Sequence, residues 1–216
     1  MLIIDHRRNE IAQLQATSGE FGIEVDLRNH GNDILVTHDP FITAAPRLED
    51  WLDAFHHRFL IANVKEEGME TKLLPLLERK GIKNFFILDE SFPFIRKYAL
   101  AGIEQFALRV SEFEDYRTAI NLAHDLAIAD RKVGWIWADS FTGAPLPPET
   151  AVALRTAGFK ICAVSPELHH VNDPASWDSR VTAFLDKLQE PSFAPSRPDM
   201  VCTKLPEKWA AWQAGL

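Results

Sequence analysis

Histidine, arginine and carboxylate side chains follow or interrupt apolar runs at three places in the first 40 residues of this 216-residue chain. His6 and Arg7 follow the first run, Glu24 and Asp26 alternate with apolar residues in the second, and His38 follows the third. Carboxylates two positions apart on a strand point to the same side and can clasp one cation. Imidazole titrates near neutral pH, so it can accept or donate a proton. The pattern therefore predicts an acid/base site with a metal ion, and hence an enzyme.

The predicted metal ligands are all oxygen atoms. Glu24 and Asp26 offer carboxylates, and Asn63 can add an amide oxygen from the following strand. Such ligands suit Mg²⁺ or Ca²⁺, whereas zinc prefers a tetrahedral His/Cys cluster that the sequence does not show. The competing interpretation is that the two acids form a solvated strand edge. Their apolar neighbours favour the inward placement.

Eight apolar, β-rich runs recur along the chain, and each is followed by a helical pattern. The runs cover residues 2–5, 22–27, 59–65, 85–89, 106–110, 133–139, 159–165 and 200–203. Several are apolar nearly throughout, as in parallel strands that are covered on both faces. This alternation predicts an α/β fold, a single (β/α)8 TIM barrel over residues 1–216, although such barrels usually have about 250 residues. An open doubly wound sheet gives a similar alternation, but the first turn lacks the glycines of a dinucleotide-binding loop.

A further apolar run, residues 33–37, follows the second strand across a turn-rich link at 29–32. The link predicts a short β-hairpin extension after strand 2. This hairpin would deliver His38 to the mouth of the barrel. Asn9 is expected to cap the first helix.

Polar side chains at the predicted strand ends matter because the active site of a TIM barrel lies there. His6 and His38 are the candidates for general acid and general base. Arg7 and Lys65 suit a phosphate group, the arginine by paired hydrogen bonds and the lysine as a point charge. The residues expected to shape a specificity pocket are Arg109, Asp139 and Glu167. The loop pair His169-His170 follows the seventh strand, which allows it to border the mouth, although such a pair is usually only solvated.

Composition narrows the function further. A formal net charge of −8 and a pI near 5.5 argue against a nucleic-acid footprint or an anionic-membrane surface. With no apolar leader before residue 2 and no run of transmembrane length, the sequence predicts a cytoplasmic protein without membrane insertion. Cys162 and Cys202 lie in apolar runs and are expected to be buried, reduced thiols. The oligomeric state is left open.

The polar pattern resembles the glycerophosphodiester phosphodiesterase family, within the larger group of phospholipase-C-like phosphodiesterases. The matching elements are His6-Arg7, Glu24-Val25-Asp26, His38-Asp39 and Lys65, with a weaker similarity at residues 202–206. Asn9 is similar to the Asn of the family's Glu-Asn-Thr element. The resemblance implies a (β/α)8 barrel that hydrolyses a small-molecule or polymeric alcohol phosphodiester with the help of a divalent metal ion.

Carried over by position, the resemblance also implies roles for individual residues. It makes His6 and His38 the acid/base pair and Arg7 and Lys65 the phosphate ligands, while Glu24 and Asp26 would bind the metal. In that family the metal helps activate a neighbouring hydroxyl of the alcohol for attack on phosphorus. Protonation of the leaving group then releases the other alcohol.

Two substitutions depart from the family pattern. Arg8 replaces the glycine of His-Arg-Gly and is expected to crowd the loop beside the phosphate, and Asn63 stands where a third metal-binding Glu is expected. The missing carboxylate is expected to weaken metal affinity. A catalytically impaired barrel that binds a phosphorylated ligand or a protein partner is therefore the alternative. A lyase or isomerase with a Schiff base at Lys65 or Lys204 is disfavoured, because the nearby acids would keep the amine charged.

Overall fold

The computed structural model describes residues 1–215, and its central feature is a parallel barrel surrounded by helices. The strands are β1 (Leu2–Asp5), β2 (Gly22–His30), β3 (Asp33–Val36), β4 (Leu60–Val64), β5 (Phe85–Leu88), β6 (Ala107–Val110), β7 (Trp135–Ala138), β8 (Lys160–Val164) and β9 (Met200–Thr203). The helices are α1 (Ile11–Ala16), α2 (Leu48–Asp53), α3 (Glu70–Arg79), α4 (Phe92–Leu100), α5 (Tyr116–Ile128), α6 (Pro148–Thr156), α7 (Trp177–Gln189) and α8 (Pro206–Ala214). No helix within residues 1–215 is both long enough and apolar enough to cross a membrane.

Eight of these strands form the barrel wall in the order β5-β4-β2-β1-β9-β8-β7-β6. A parallel bridge between Ile87 and Phe106 joins β5 to β6 and so brings the two ends of this order together. The remaining strand, β3, lies antiparallel to β2, with Leu27 opposite Val36. The predicted (β/α)8 barrel with a hairpin after its second strand is confirmed, and the open sheet is wrong.

Apolar side chains cover both faces of the barrel wall. One set packs in a cluster that fills the barrel, including Ile4, Ile61 and Phe86. The alternate set, such as Val25 and Leu27, packs in a second cluster with the helices. Strands buried on both faces need apolar residues nearly throughout, because each apolar Å² removed from water stabilises the fold by about 25 cal/mol. This explains the continuous apolar runs.

Glycine is required at the start of β2. A Cβ atom at Gly22 would lie 2.4 Å from Cδ1 of Ile4 and 2.9 Å from the carbonyl oxygen of Phe59. Both separations are shorter than real Cβ contacts, so any larger residue would displace the Ile4 side chain and push the backbone at Phe59 away from β2. This close approach fixes the strands that carry the polar residues of the mouth.

The observed strands agree with the predicted runs to within a few residues, and the differences fall mainly at the polar ends. Lys65, Asp89 and Asp139 each follow the last residue of a strand, where the chain leaves the sheet. The predicted helix cap at Asn9 is wrong. Glu10 precedes α1 and forms a capping box with Gln13, which frees the Asn9 side chain for another contact.

Candidate active site

The two acids of β2 face the interior of the barrel. Glu24 is 1% exposed and Asp26 is not exposed at all. Asp26 lies opposite Asn63 of β4, while the residue between the two acids, Val25, packs on the helix side of the sheet. The inward placement predicted from the alternation is therefore confirmed.

Glu24 joins three strand ends. Its Oε2 accepts a hydrogen bond from the Arg7 backbone N–H at 2.8 Å and lies 3.6 Å from Nε2 of His6. Its Oε1 accepts from the amide Nδ2 of Asn63 at 2.8 Å. The carboxylate thus positions the β1 loop against β4 at the carboxyl end of the barrel.

Asp26 is surrounded by nitrogen atoms. Its Oδ2 accepts from Nδ2 of Asn9 at 2.9 Å, and its backbone N–H donates to Oδ1 of Asn9 at 3.0 Å. Nε of Arg7 lies 3.2 Å from Oδ2, and Nζ of Lys65 lies 3.0 Å from Oδ1. Lys65 also donates to Oδ1 of Asn63 at 2.6 Å. Asn9 therefore braces Asp26 instead of capping a helix.

Two residues beyond strand ends adopt left-handed backbone angles that few non-glycine residues adopt. The φ angle is 54° at Arg7 and 63° at Asp89, a conformation that costs about 1–2 kcal/mol. Because Leu88 packs inside the barrel, strand alternation would turn Asp89 outward. The left-handed turn instead places its carboxylate 3.6 Å from Lys65 and in contact with Arg109. Such strain at a site is typical of residues held for function.

The electrostatics of His6 keep its imidazole ring neutral. Burial, followed by the positive charges of Lys204 and Arg7, lowers the pKa of His6 from 6.5 to about 3. Burial and the charges of Arg7 and Arg8 also lower the pKa of Lys204. A neutral imidazole therefore lies among clustered cations, an arrangement that attracts an anion.

The two acids respond oppositely to this environment. Burial and the negative charge of Asp26 raise the pKa of Glu24 to about 7. Burial opposes the ionisation of Asp26, but the Lys65 ammonium group and the Asn9 amide hold the pKa of Asp26 below its usual value. Asp26 is consequently the carboxylate that keeps its charge at neutral pH.

His38 lies on the loop after the hairpin and is exposed. Its Nδ1 is 2.9 Å from Oδ1 of Asp39, and 45% of its side chain is exposed. The backbone on either side of the ring is held, since the Thr37 N–H donates to the Asp26 carbonyl at 3.0 Å and Nε of Arg28 donates to the His38 carbonyl at 2.9 Å. The structure therefore brings His38 beside β2, and its pairing with His6 stays a prediction.

Asp139 organises the opposite part of the mouth. It is 6% exposed, and its two oxygens contact Nη1 of Arg109 and Nε2 of His169. Arg109 also reaches Asp89, which continues the contacts to Lys65. The structure thus places the predicted pair Arg109 and Asp139 together at the barrel mouth.

Sequence reasoning did not include His169 among the site residues, because a loop pair of histidines is more often solvated than part of the mouth. A signal was present: Asp139 directly follows β7 and His169 closely follows β8, and these strands are neighbours in the barrel. Phe141 lies with its ring centroid 4.6 Å from that of His169, and Phe113 lies 5.3 Å from Phe141. Both phenylalanine rings are exposed, which gives this side of the mouth an aromatic rim.

Two expectations need correction. Glu167 is fully buried, and its Oε1 accepts from Oγ1 of Thr203 at 2.5 Å and from the Lys204 N–H at 2.8 Å. A carboxylate without exposed surface cannot line a pocket, so Glu167 braces Lys204. Arg8 does not crowd the mouth, because Nε and Nη2 donate to the two oxygens of Asp5 at 2.7 Å each.

The predicted Mg²⁺ or Ca²⁺ site can be compared with these contacts. Every side-chain oxygen of Glu24, Asp26 and Asn63 already faces a protein nitrogen atom. Nζ of Lys65 lies between two of the three predicted ligands. Among residues 1–215, no group of three His, Cys, Asp or Glu side chains could hold a metal ion. The donor set does not fit a resident divalent ion, and the metal stays an untested prediction.

Comparisons with known proteins agree with the fold. The chain is similar in structure to a protein assigned as a glycerophosphoryl diester phosphodiesterase from Agrobacterium tumefaciens (TM-score 0.64, 14% identity, covering 100% of this chain and 98% of that chain). A glycerophosphoryl diester phosphodiesterase from Parabacteroides distasonis gives a TM-score of 0.65 with 13% identity, over 99% of this chain and 86% of that one. No protein-family model matches the sequence, and no curated protein matches it.

The barrel is also shared with a protein of another activity. A mutant tryptophan synthase alpha-subunit from Pyrococcus furiosus matches with a TM-score of 0.51 and 12% identity, over 97% of this chain and 89% of that chain. One fold therefore serves different reactions, and function has to be argued from the site. The resemblance predicted from the first 65 residues is confirmed at the level of the fold.

Proposed function

We propose that this protein is a phosphodiester hydrolase of the glycerophosphodiester phosphodiesterase type. The observation that carries the proposal is the neutral imidazole of His6, buried beside Glu24 and surrounded by the cations Arg7, Lys65 and Lys204. A phosphodiester is a compact anion, and its hydrolysis needs charge neutralisation and a proton acceptor at one place. The fold shared with two phosphodiesterases supports the same reaction class.

Arg7 and Lys65 are the proposed phosphate ligands. The Arg7 side chain is 40% exposed, so part of its guanidinium group remains available although Nε faces Asp26. Lys65 is only 16% exposed and contributes a fixed point charge beneath the mouth. Asp26 and Glu24 hold the β1 loop and the lysine in position, so little reorganisation is needed when charge develops on the phosphoryl oxygens.

Proton transfer is assigned to the two histidines of the sequence hypothesis. His6 accepts the proton of an attacking hydroxyl, from water or from the alcohol group of the substrate, as the new P–O bond forms. As the other P–O bond breaks, protonated His38 gives its proton to the leaving alkoxide. The exposed hairpin loop supports the second role, because it lets His38 exchange protons with solvent.

A panel of diesters tests the proposal. Bis(p-nitrophenyl) phosphate and glycerophosphodiesters with different alcohols are incubated with the wild type and with His6→Ala, and release of the alcohol is measured. His124→Ala on α5 is the control, because it removes an exposed histidine from a helix outside the barrel. We expect turnover to fall by about 10²–10⁴-fold in His6→Ala and to stay unchanged in the control. Absence of hydrolysis by the wild type, or full activity of His6→Ala, would contradict the proposal.

Binding without turnover is the second candidate function. It is favoured by Asn63, which stands where the family has an acidic residue, and by the open solvent position of His38. The same panel separates the two functions. A non-turned-over diester that raises the melting temperature of the wild type would indicate a phosphorylated-ligand receptor.

A further inference from the structure

We infer that the ammonium group of Lys65 takes the place of a divalent metal ion, so that the site works with fixed protein cations and takes up neither Mg²⁺ nor Ca²⁺. The inference about the cation depends on contacts among side chains alone. Its consequence, diester hydrolysis that is independent of divalent ions, rests on the proposed function.

The ammonium group of Lys65 lies among three oxygen atoms. Nζ of Lys65 lies 2.6 Å from Oδ1 of Asn63, 3.0 Å from Oδ1 of Asp26 and 3.6 Å from Oδ2 of Asp89. The contact with Asn63 is a hydrogen bond and the two contacts with carboxylates are ion pairs, so the ammonium group lies where oxygen atoms converge. Two of these oxygens belong to the residues predicted to bind the metal. Lysine and metal would therefore compete for one position.

The side-chain amide of Asn63 both donates and accepts a hydrogen bond. Its Nδ2 donates to Oε1 of Glu24 at 2.8 Å while its Oδ1 accepts from Lys65. Only an amide can do both, because a carboxylate has no N–H to donate to Glu24. Turning the amide over would set its oxygen against the Glu24 oxygen and its NH₂ group against the ammonium group. The substitution thus connects Glu24 to Lys65 where a third acid would have repelled Glu24.

The charges of the site are already close to balance. Three carboxylates, Asp26, Asp89 and Asp139, contact three cations, Arg7, Lys65 and Arg109. An ionised Glu24 would add one negative charge. A divalent ion added to these groups would leave an excess of positive charge, which is unfavourable where side chains are buried. Displacing Lys65 would instead strand an ammonium group close to the ion.

Titration calorimetry and thermal unfolding of the wild type test the inference directly. Protein freed of metal with EDTA is titrated with MgCl₂ and with CaCl₂, and its melting temperature is compared in EDTA and in millimolar salt. We expect no saturable heat and no rise in melting temperature beyond that seen with matched NaCl. Stoichiometric binding of either ion, lost in Asp26→Asn, would overturn the inference.

A gain-of-binding variant gives the complementary result. Asn63→Glu combined with Lys65→Met restores a third carboxylate and removes the competing ammonium group, and we expect Ca²⁺ or Mg²⁺ to raise its melting temperature. Asn84→Glu is the matched control, since it adds the same charge at an exposed position before β5. A double variant that folds but remains indifferent to both ions would count against Lys65 as the substitute for a metal. If this variant does not fold, the wild-type titration still decides.

Activity separates this inference from the proposed function. Wild-type hydrolysis of a diester is expected to change by less than twofold between EDTA and Mg²⁺ or Ca²⁺. Activity that is lost in EDTA and restored by either ion would overturn the inference while supporting the hydrolase. A wild type that binds no metal and hydrolyses no diester would leave the cation assignment standing and reject the reaction.

Discussion

The two sides of the barrel mouth hold their carboxylates in different ways. On the first side, formed by β1, β2 and β4, Asp26 is fully buried and contacted by Asn9, Arg7 and Lys65. On the second side, formed by β6, β7 and β8, Asp139 contacts Arg109 and the loop residue His169. Under the proposed function, the first side is assigned to the phosphate group common to all diesters and the second side to the variable alcohol group.

Asp89 joins the two sides, since it contacts both Lys65 and Arg109. Charges of opposite sign therefore alternate around half of the mouth. A substitution on one side is therefore expected to affect the other side through the Asp89 carboxylate. Substitutions matched between the sides can measure how separate they are.

Among substitutions that compare the two sides, the largest expected effect comes from removing one cation from each side. We expect Lys65→Met to lower kcat/KM for a diester by about 10²–10³-fold, because it removes a fixed charge next to the proposed phosphate position. Arg109→Met is expected to cost about tenfold or less, because its guanidinium group acts on Lys65 through Asp89. Steady-state kinetics with one diester gives both values. Equal losses would remove the distinction between the two sides.

Arg109→Met is expected to have a small effect on activity but a clear effect on stability. Arg109→Met leaves the buried carboxylate of Asp139 without its cation, and we expect a loss of about 1–3 kcal/mol in the free energy of unfolding, reduced by the partial exposure of Arg109. Urea denaturation measures the loss. Adding Asp139→Asn should recover part of it, since the stranded charge is then removed. If the two substitutions change the free energy of unfolding additively, Arg109 and Asp139 are not coupled.

The aromatic rim should affect the choice of substrate more than the rate. Phe141→Ala removes the ring that lies tilted against His169, and an aromatic contact of this kind contributes about 0.5–1.5 kcal/mol. We expect KM for diesters of aromatic or long-chain alcohols to rise by about 2–10-fold, with little change for glycerophosphodiesters. Phe41→Ala, which removes another exposed ring on the loop after β3, is the control. Identical effects on all diesters would place the alcohol elsewhere.

The smallest expected effect on activity belongs to Glu90, which lies on neither side and is expected to give a pH dependence of stability. Burial and the neighbouring Glu70 raise the pKa of Glu90 from 4.5 to about 8. A folded pKa above the unfolded value means that this group stabilises the fold below pH 4.5 and that the contribution is lost as pH rises through 8. Glu90→Gln should therefore show a smaller fall in melting temperature between pH 5 and pH 8. A wild-type curve that rises over this range, with no change in the variant, would contradict the assignment.

The first side of the mouth could be predicted because its information is local. Glu24 and Asp26 alternate with apolar residues on one strand, and strand geometry alone places both inside the barrel. Eight apolar runs with helical patterns between them predicted the barrel, because these patterns are local as well. His6, Arg7 and Lys65 could be predicted at the mouth because each lies at or just after the end of an apolar run.

The rest depends on contacts that no local pattern specifies. Asp139 and His169 are 30 positions apart, and their contact requires β7 and β8 to be neighbours. The left-handed backbone at Arg7 and Asp89 is not specified by a local pattern, since arginine rarely adopts it and aspartate adopts it in only a minority of cases. The two-way hydrogen bonding of Asn63 likewise needs Glu24 and Lys65 in place. Sequence reasoning therefore located strand-end residues of the mouth, but it could not specify the contacts among them.

The central claim is that His6 and the cations around it form a phosphodiester hydrolysis site. A ³¹P NMR time course of a glycerophosphodiester in EDTA, with wild type and with His6→Gln, tests it most directly. We predict that the wild type replaces the diester signal with that of a phosphomonoester or a cyclic phosphate, while the diester persists with His6→Gln. A diester signal that stays unchanged with the wild type, in EDTA and also after addition of Mg²⁺ or Ca²⁺, would contradict the account.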